Sequence, residues 1–465
     1  MNQSTQETAR EIFANNSLVK AQENRLDAIS QKYASKIIGE EKNIRLGVCA
    51  LASRNLPKKF RFSLIVVNQT ATGKSHFLNS LLEPLRTSDD VIDFTDFTEA
   101  YFKRRFGDLN GKILKVEQLE KRDDNSQLSF ARIKHLMTEG KLVFGNVDED
   151  KGKRSPVEYV VTGYPIILTT ATDTNIDPET ENRFLVVELD ESEDQTRRIN
   201  KLQLEEYSKT NISAWNKKDL EKDFEDLKLV SVLIKDIKIP FADKLETILP
   251  TSLNMRRDLP KILALTSVIA FLNHKNRDKF QSKTPENFLI STLGNTEEIH
   301  KAVIIAKTED FDKALEIAGN SLKKALDRVT KRTWTVYEKA KDLFNSKTLD
   351  NPGGITSKEL QKVTGMPEST LRNHLNILKE NGFISKDESE REFKFYPLDK
   401  PRSDLSSIKI DYSEVEYQEW IKDWLENNQD YRFVATSRNE SLLVDSCLNE
   451  SQSCATNIVA KNCEK

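Results

Sequence analysis

The residues best placed to do chemistry form one short run, Asn68-Gln69-Thr70-Ala71-Thr72-Gly73-Lys74-Ser75, followed by His76. Small side chains ending in Gly-Lys-Ser let main-chain N–H groups turn inward, so the loop can wrap phosphate oxygens. The lysine brings a point charge for the terminal phosphates, and the serine hydroxyl is a ligand for a hard divalent cation. The chemistry on offer is the binding of a nucleoside triphosphate with Mg2+. One departure stands out, since Asn68 occupies the position where this loop pattern begins with glycine. Asparagine tolerates positive φ better than most residues, so the turn can survive the exchange.

Such a loop needs a strand to deliver it and a helix to receive it. Ser63-Leu-Ile-Val-Val67 precedes it and a helical stretch follows from His76. Further apolar runs at Lys112–Val116, Pro165–Thr169 and Phe184–Leu189, separated by helical patterns, predict a parallel α/β domain over residues 37–191. The Lys112–Val116 run leads into Glu117-Gln118-Leu119-Glu120, which brings carboxylates to a strand end, where Mg2+ and an attacking water need them.

Three segments make the pattern more specific. Ile37-Ile38-Gly39-Glu40-Glu41-Lys42, Asn68 to Ser75, and Glu117 to Lys121 resemble the corresponding elements of the minichromosome-maintenance (MCM) helicases of the AAA+ class, and of the helicase-like halves of phage and plasmid DNA primases. The likeness continues through Pro165–Thr172 and Asn182-Arg183-Phe184 to Arg256-Arg257-Asp258-Leu259-Pro260, about residues 37–330 in all. It implies an AAA+ P-loop core with ATP and Mg2+ as cofactors. Ile37 and Ile38 would flank the adenine, and Gln69, Thr70, Ala71, Thr72, Gly73 and His76 would complete the loop around Lys74. Ser75 and Glu117 would hold the metal. Thr170, with Thr172 as the weaker alternative, would sense the γ-phosphate, Arg183 would reach into a neighbouring subunit, and Arg257 would act from the lid. Gln118 stands where the family has its water-activating glutamate. An amide orients water but accepts no proton at neutral pH, which leaves three readings: slow hydrolysis, rescue by Glu120, or ATP acting as a switch.

At about 150 residues per domain, 465 residues predict roughly three domains. Residues 1–36 read as a polar extension, 192–330 as a helical lid, 331–400 as a winged helix-turn-helix, 401–435 as an amphipathic helix and 436–465 as a disordered tail. In the amphipathic segment Tyr417, Trp420, Ile421, Trp424 and Leu425 share one helical face. No apolar run approaches the roughly 20 residues of a membrane span. The polar start lacks a leader pattern, so an intracellular, cytoplasmic and nucleoid-associated protein is expected. Cys49, Cys447, Cys454 and Cys463 form no C-x-x-C pair, which predicts reduced thiols and no structural metal.

With 71 Lys and Arg against 74 Asp and Glu, bulk charge offers a polyanion nothing, so DNA contacts would be local. Two strand-like runs around Val147–Pro156 suggest a β-hairpin, and by the resemblance Lys151, Lys153 and Arg154 near its tip would grip single-stranded DNA in a ring channel. Thr356-Ser-Lys-Glu359 is a capping box opening a helix through Val363. The next helix follows Pro367, buries Leu371, Leu375 and Leu378, and turns Ser369, Thr370, Arg372, Asn373 and His374 outward or to its edge. Arg372 and Asn373 could read duplex DNA while Lys386, Arg391 and Lys394 of the wing meet phosphates. Residues 331–400 nevertheless hold 13 Lys and Arg against 11 Asp and Glu, a weak nonspecific attraction. Together these features predict a homo-oligomer, a hexameric ring, acting as an ATP-dependent DNA helicase or translocase in replication of a mobile element or an archaeal or viral genome. The alternative is an ATP-switched, DNA-binding initiator or regulator.

Overall fold

A computed structural model describes residues 24–68, 73–94, 107–116, 124–150, 153–172, 183–208, 215, 217–249, 255–290, 295–327, 331–346, 354–387, 394–398 and 408–436. It forms two compact units. The first is built on a five-stranded sheet. Helices α1 (Arg25–Tyr33) and α2 (Glu41–Ser53) lead into β1 (Ser63–Val67), then α3 (Lys74–Leu82), β2 (Val91–Phe94) and β3 (Ile113–Val116). Next come α4 (Asp124–Glu139), a long hairpin of β4 (Lys141–Asp150) and β5 (Lys153–Thr162), then β6 (Ile166–Ala171) and β7 (Phe184–Val187). The sheet order is β2-β3-β6-β1-β7 and every pairing in it is parallel, so all five carboxyl ends share one edge.

β1, β3, β6 and β7 are buried along their whole length. That explains their continuous apolar runs, because a parallel strand covered on both faces has no solvent side to make polar. On one face Ile65, Val67, Leu114 and Ile167 pack with Ile133 and Leu136 of α4 and with Leu142, Phe144 and Val161 at the hairpin base. The sequence runs locate these four strands; β2, with its Asp93 and half-exposed pattern, was not among them.

The chain continues through α5 (Glu193–Ser208) and α6 (Lys217–Leu233), then β8 (Ile234–Lys238), α7 (Met255–Leu272), β9 (Lys279–Ser282), the hairpin β10 (Glu286–Ile290) and β11 (Asn295–Ile299), β12 (Ala302–Ile305) and α8 (Thr308–Asp327). The expectation of a helical lid over 192–330 therefore needs correction: its helices are present, and strands lie between them. These strands are four or five residues long, too short for their period to separate them from helix.

The second unit holds α9 (Lys331–Ser346), β13 (Ile355–Thr356), α10 (Ser357–Thr364), α11 (Glu368–Glu380), β14 (Ile384–Asp387) and β15 (Lys394–Pro397). Val336, Tyr337, Leu360, Leu371, Leu375, Leu378 and Phe383 make its core. Both bonds of the Thr356–Glu359 capping box are formed. The strands order as β13-β15-β14, antiparallel throughout.

Back in the first unit, α12 (Glu414–Asn427) and β16 (Tyr431–Val434) complete a second sheet of order β16-β9-β12-β8. Tyr417, Trp420, Trp424 and Leu425 pack on Phe280, Val303 and Ile305, so the amphipathic face finds its partner within the chain. No described helix is long and apolar enough to cross a membrane.

Candidate functional site

β1 runs straight at the loop that the sequence singles out. Gly73 takes φ +83 just before α3, in the left-handed region that side chains resist, and an added Cβ there would meet nothing within 4 Å among the described residues. Conformation, and not space, calls for glycine at this point. α3 then begins at Lys74, and no side chain among the described residues caps its end. The first-turn amides of a helix have no acceptor inside it, and the helix dipole adds positive potential, so this end suits an anion. Lys74 Nζ donates to the Asn68 carbonyl at 2.6 Å, closing the loop on itself, and Ser75 and His76 are exposed. Gln69, Thr70, Ala71 and Thr72 lie outside the described residues.

Asn68 is buried, and its side chain has a task that sequence reasoning missed. Its Oδ1 accepts from Leu189 N at 2.7 Å, while Nδ2 donates to Leu189 O at 3.1 Å and to Glu191 Oε1 at 2.8 Å. A glycine could make none of these bonds, which tie the end of β1 to the chain leaving β7.

The threonines that end β6 lie at this shared strand edge. Val116 pairs with Thr169 and Val66 with Thr170, so β6 stands between the loop strand and the strand leading to Glu117. Thr170 is buried and Thr172 half-buried. Glu117, Gln118 and Glu120 fall outside the described residues. Lys115, a buried cation in an otherwise apolar strand, donates to Asp93 Oδ1 and Oδ2 at 3.0 and 3.2 Å. Arg183, half-buried ahead of β7, donates to Thr138 Oγ1 and, at 3.4 Å, to the Lys134 carbonyl, both on α4. Arg257 is exposed in the first turn of α7 and belongs to the second compact unit.

The segment expected to flank the base lies beside α3. Ile37 is buried, Ile38 half-buried, and the Lys36 carbonyl sits 3.4 Å from His76 Nε2. Trp215 meets the residues just before it: its Nε1 donates to Lys32 O at 3.1 Å and Lys36 Nζ lies 5.7 Å from the ring centre. Glu40 is buried and accepts from Asp190 N at 2.8 Å and from Asn43 Nδ2 at 2.5 Å. Burial raises its carboxyl above the ordinary range, opposed by those two hydrogen bonds. Gln195, on the first turn of α5, donates from Nε2 to the Ile38 carbonyl. Nothing local in the sequence could have pointed to Gln195, which stands 157 positions from its partner.

The hairpin is longer than expected: its ladder runs from Lys141 opposite Thr162 to Asp150 opposite Lys153, with Arg154 opposite Glu149. Lys151 lies outside the described residues. On α11, Ser369, Arg372 and Asn373 are exposed and Thr370 is half-buried. Arg372 pairs with Glu368 at 3.0 Å, and His374 turns inward to Thr333 Oγ1 at 2.8 Å. Lys386 and Lys394 are half-buried on β14 and β15, and Arg391 lies outside the described residues.

No protein-family model and no curated protein matches this chain. Among solved structures it is similar to a full-length MCM homologue from Methanopyrus kandleri, with 15% identity, TM-score 0.32, and coverage of 66% of this chain and 63% of the homologue. The Thermotoga maritima RuvB Holliday junction branch migration motor gives 12% identity, TM-score 0.25, and coverage of 78% and 93%. The apo NrS-1 C-terminal region gives 12% identity, TM-score 0.28, and coverage of 82% and 76%. The chain thus spans less than two thirds of the length of the MCM homologue.

Proposed function

We propose that the chain is an AAA+ ATPase acting on DNA, a helicase or translocase. The observation that carries this reading is the placement of β6 between β1 and β3. In a parallel sheet this order sets a polar strand end, Thr170 and then Thr172, between the phosphate loop and the carboxylate-bearing strand. An ATPase needs a group there to feel both the γ-phosphate and the metal. The residues fit Mg-ATP: Gly73 at φ +83 and an uncapped helix start suit a phosphate chain, with Lys74 to pair with the β- and γ-phosphates. Ser75 and Glu117 would hold Mg2+, which when bound draws charge from the phosphate oxygens. Gln118 would orient water, and Glu120 would take the proton if hydrolysis is fast. Arg183 would serve a neighbouring subunit of a hexameric ring, and Arg257 the lid. Lys151, Lys153 and Arg154 would track a single strand. The second unit, with the element order of a winged helix, would present Ser369, Thr370, Arg372 and Asn373 to duplex DNA, and Lys386, Arg391 and Lys394 to its phosphates.

ATP turnover with and without single-stranded DNA tests this. Magnesium-dependent turnover, raised by DNA and lost in Lys74→Ala, is expected. Loss of about 10²–10⁴-fold in Glu120→Gln, with Gln118→Ala active, would identify Glu120 as the base. A second reading is favoured by Gln118 alone: saturable ATP uptake that changes DNA affinity without turnover would make the protein a nucleotide-gated initiator or regulator. Absence of magnesium-dependent ATP uptake overturns both.

A further inference from the structure

The side chain of Gln195 is buried and only half satisfied. Its Nε2 donates to the Ile38 carbonyl and its main-chain N donates to Ser192 Oγ at 3.2 Å, but its Oε1, closed to solvent, meets no hydrogen-bond donor among the described residues. The orientation of the amide is not arbitrary, because exchanging Nε2 and Oε1 would set one carbonyl against another at Ile38. Around it the polar groups are paired: Glu40 takes the Asp190 amide, and Asn43 Nδ2 reaches the Glu188 carbonyl at 2.8 Å. The orphan oxygen lies against Gly39, at φ +71, where a Cβ would come within 2.1 Å of it. A side chain at position 39 would push the Gln195 head away, so the glycine preserves this arrangement. Leaving a buried amide oxygen unpaired costs stability, and such a group is the mark of a site that waits for a donor.

We infer that Gln195 Oε1 is the acceptor for the exocyclic amine of the nucleobase and selects adenine over guanine. This rests on the ATPase reading for the position of the base, next to Ile37, Ile38 and the His76 end of α3. Adenine carries an amine at C6, a donor, and guanine carries an oxygen there, an acceptor that would oppose Gln195. Sites built to hydrogen-bond a substrate NH reject analogues that lack it far better than apolar contacts do. Reaching the oxygen requires a small movement of the Gly39 turn, which a glycine permits. Gln195 is thus a specificity residue, acting on the base and remote from the phosphates.

The test compares magnesium-dependent binding of ATP, GTP and purine riboside triphosphate, which lacks the 6-amino group, to the full chain and to Gln195→Met. The wild-type chain should bind ATP about tenfold tighter than the amine-free analogue, and GTP weaker still. In Gln195→Met the gap between ATP and the analogue should close. Equal wild-type affinities for ATP and the analogue overturn the assignment without any variant, as does a gap that survives in a folded Gln195→Met. If the wild-type chain binds none of the three, the ATPase reading itself has failed, an outcome distinct from loss of discrimination.

Discussion

At the scale of single residues, Asn68 shows how one side chain can answer two needs. It begins the phosphate loop, and its amide exchanges hydrogen bonds in both directions with the Leu189 peptide. Asn68→Gly would restore the usual loop pattern yet remove these bonds and leave the Leu189 groups unpaired. We expect a loss of about 1–3 kcal/mol, read as a lower denaturant midpoint. The loop itself was legible because strand, Gly-Lys-Ser and helix are contiguous in sequence. The role of Asn68 was not, since Leu189 lies 121 residues away and no local pattern reports a bond of that range. The same distance problem hid Gln195.

Asp90 gives the residue scale its pH dependence. Burial, the largest influence, pushes its carboxyl up, but the Lys228 hydrogen bond and the charges of Lys228, Arg54 and Lys112 outweigh it and hold the group below the ordinary carboxylate range. A pKa lower in the folded than in the unfolded chain contributes stability above the unfolded value of about 3.9, and that stability is lost as pH falls through the folded value. The melting temperature should therefore drop steeply below about pH 4, and less steeply in Asp90→Asn. At neutral pH that variant leaves the buried Arg54 without its ion-pair partner at 3.7 Å, at a cost of about 3 kcal/mol by chemical denaturation.

At the scale of elements, α12 is more than a surface helix. Trp424 stacks on Phe280 with ring centres 3.8 Å apart and planes 8° from parallel, while β16 pairs with β9. Asp278 accepts from Tyr417 Oη and from Thr436 N, each at 2.8 Å, binding both ends of this C-terminal element to the start of β9. Trp424→Ala should cost about 3 kcal/mol of stability, the lower end for truncating a large aromatic, because the side chain is half-buried. A shift of the denaturant midpoint at constant slope would check this. The helical face of Tyr417, Trp420 and Trp424 could be read from spacing; its target could not, because Phe280 sits in a four-residue strand, Lys279–Ser282, that carries no period of its own. The same brevity concealed β8, which follows α6 without a breaker.

At the scale of the whole molecule, the two compact units each have a core of their own, one around Leu114 and Ile167, the other around Leu371 and Leu375. Separate cores predict separate unfolding steps, so a single two-state melting curve is not expected. The phosphate loop, with Lys74 and Ser75, belongs to the first unit. A ligand that binds only the folded form stabilises it by about 2.7 kcal/mol at a hundredfold excess over its Kd. Mg-ATP should raise one transition by roughly 5 °C and leave the other in place. Calorimetry of the full chain, with Lys74→Ala as the control that binds no nucleotide, separates the steps. If the transition that moves is instead the one lost on deleting residues 331–398, the nucleotide site lies in the second unit and the assignment of the phosphate loop is wrong.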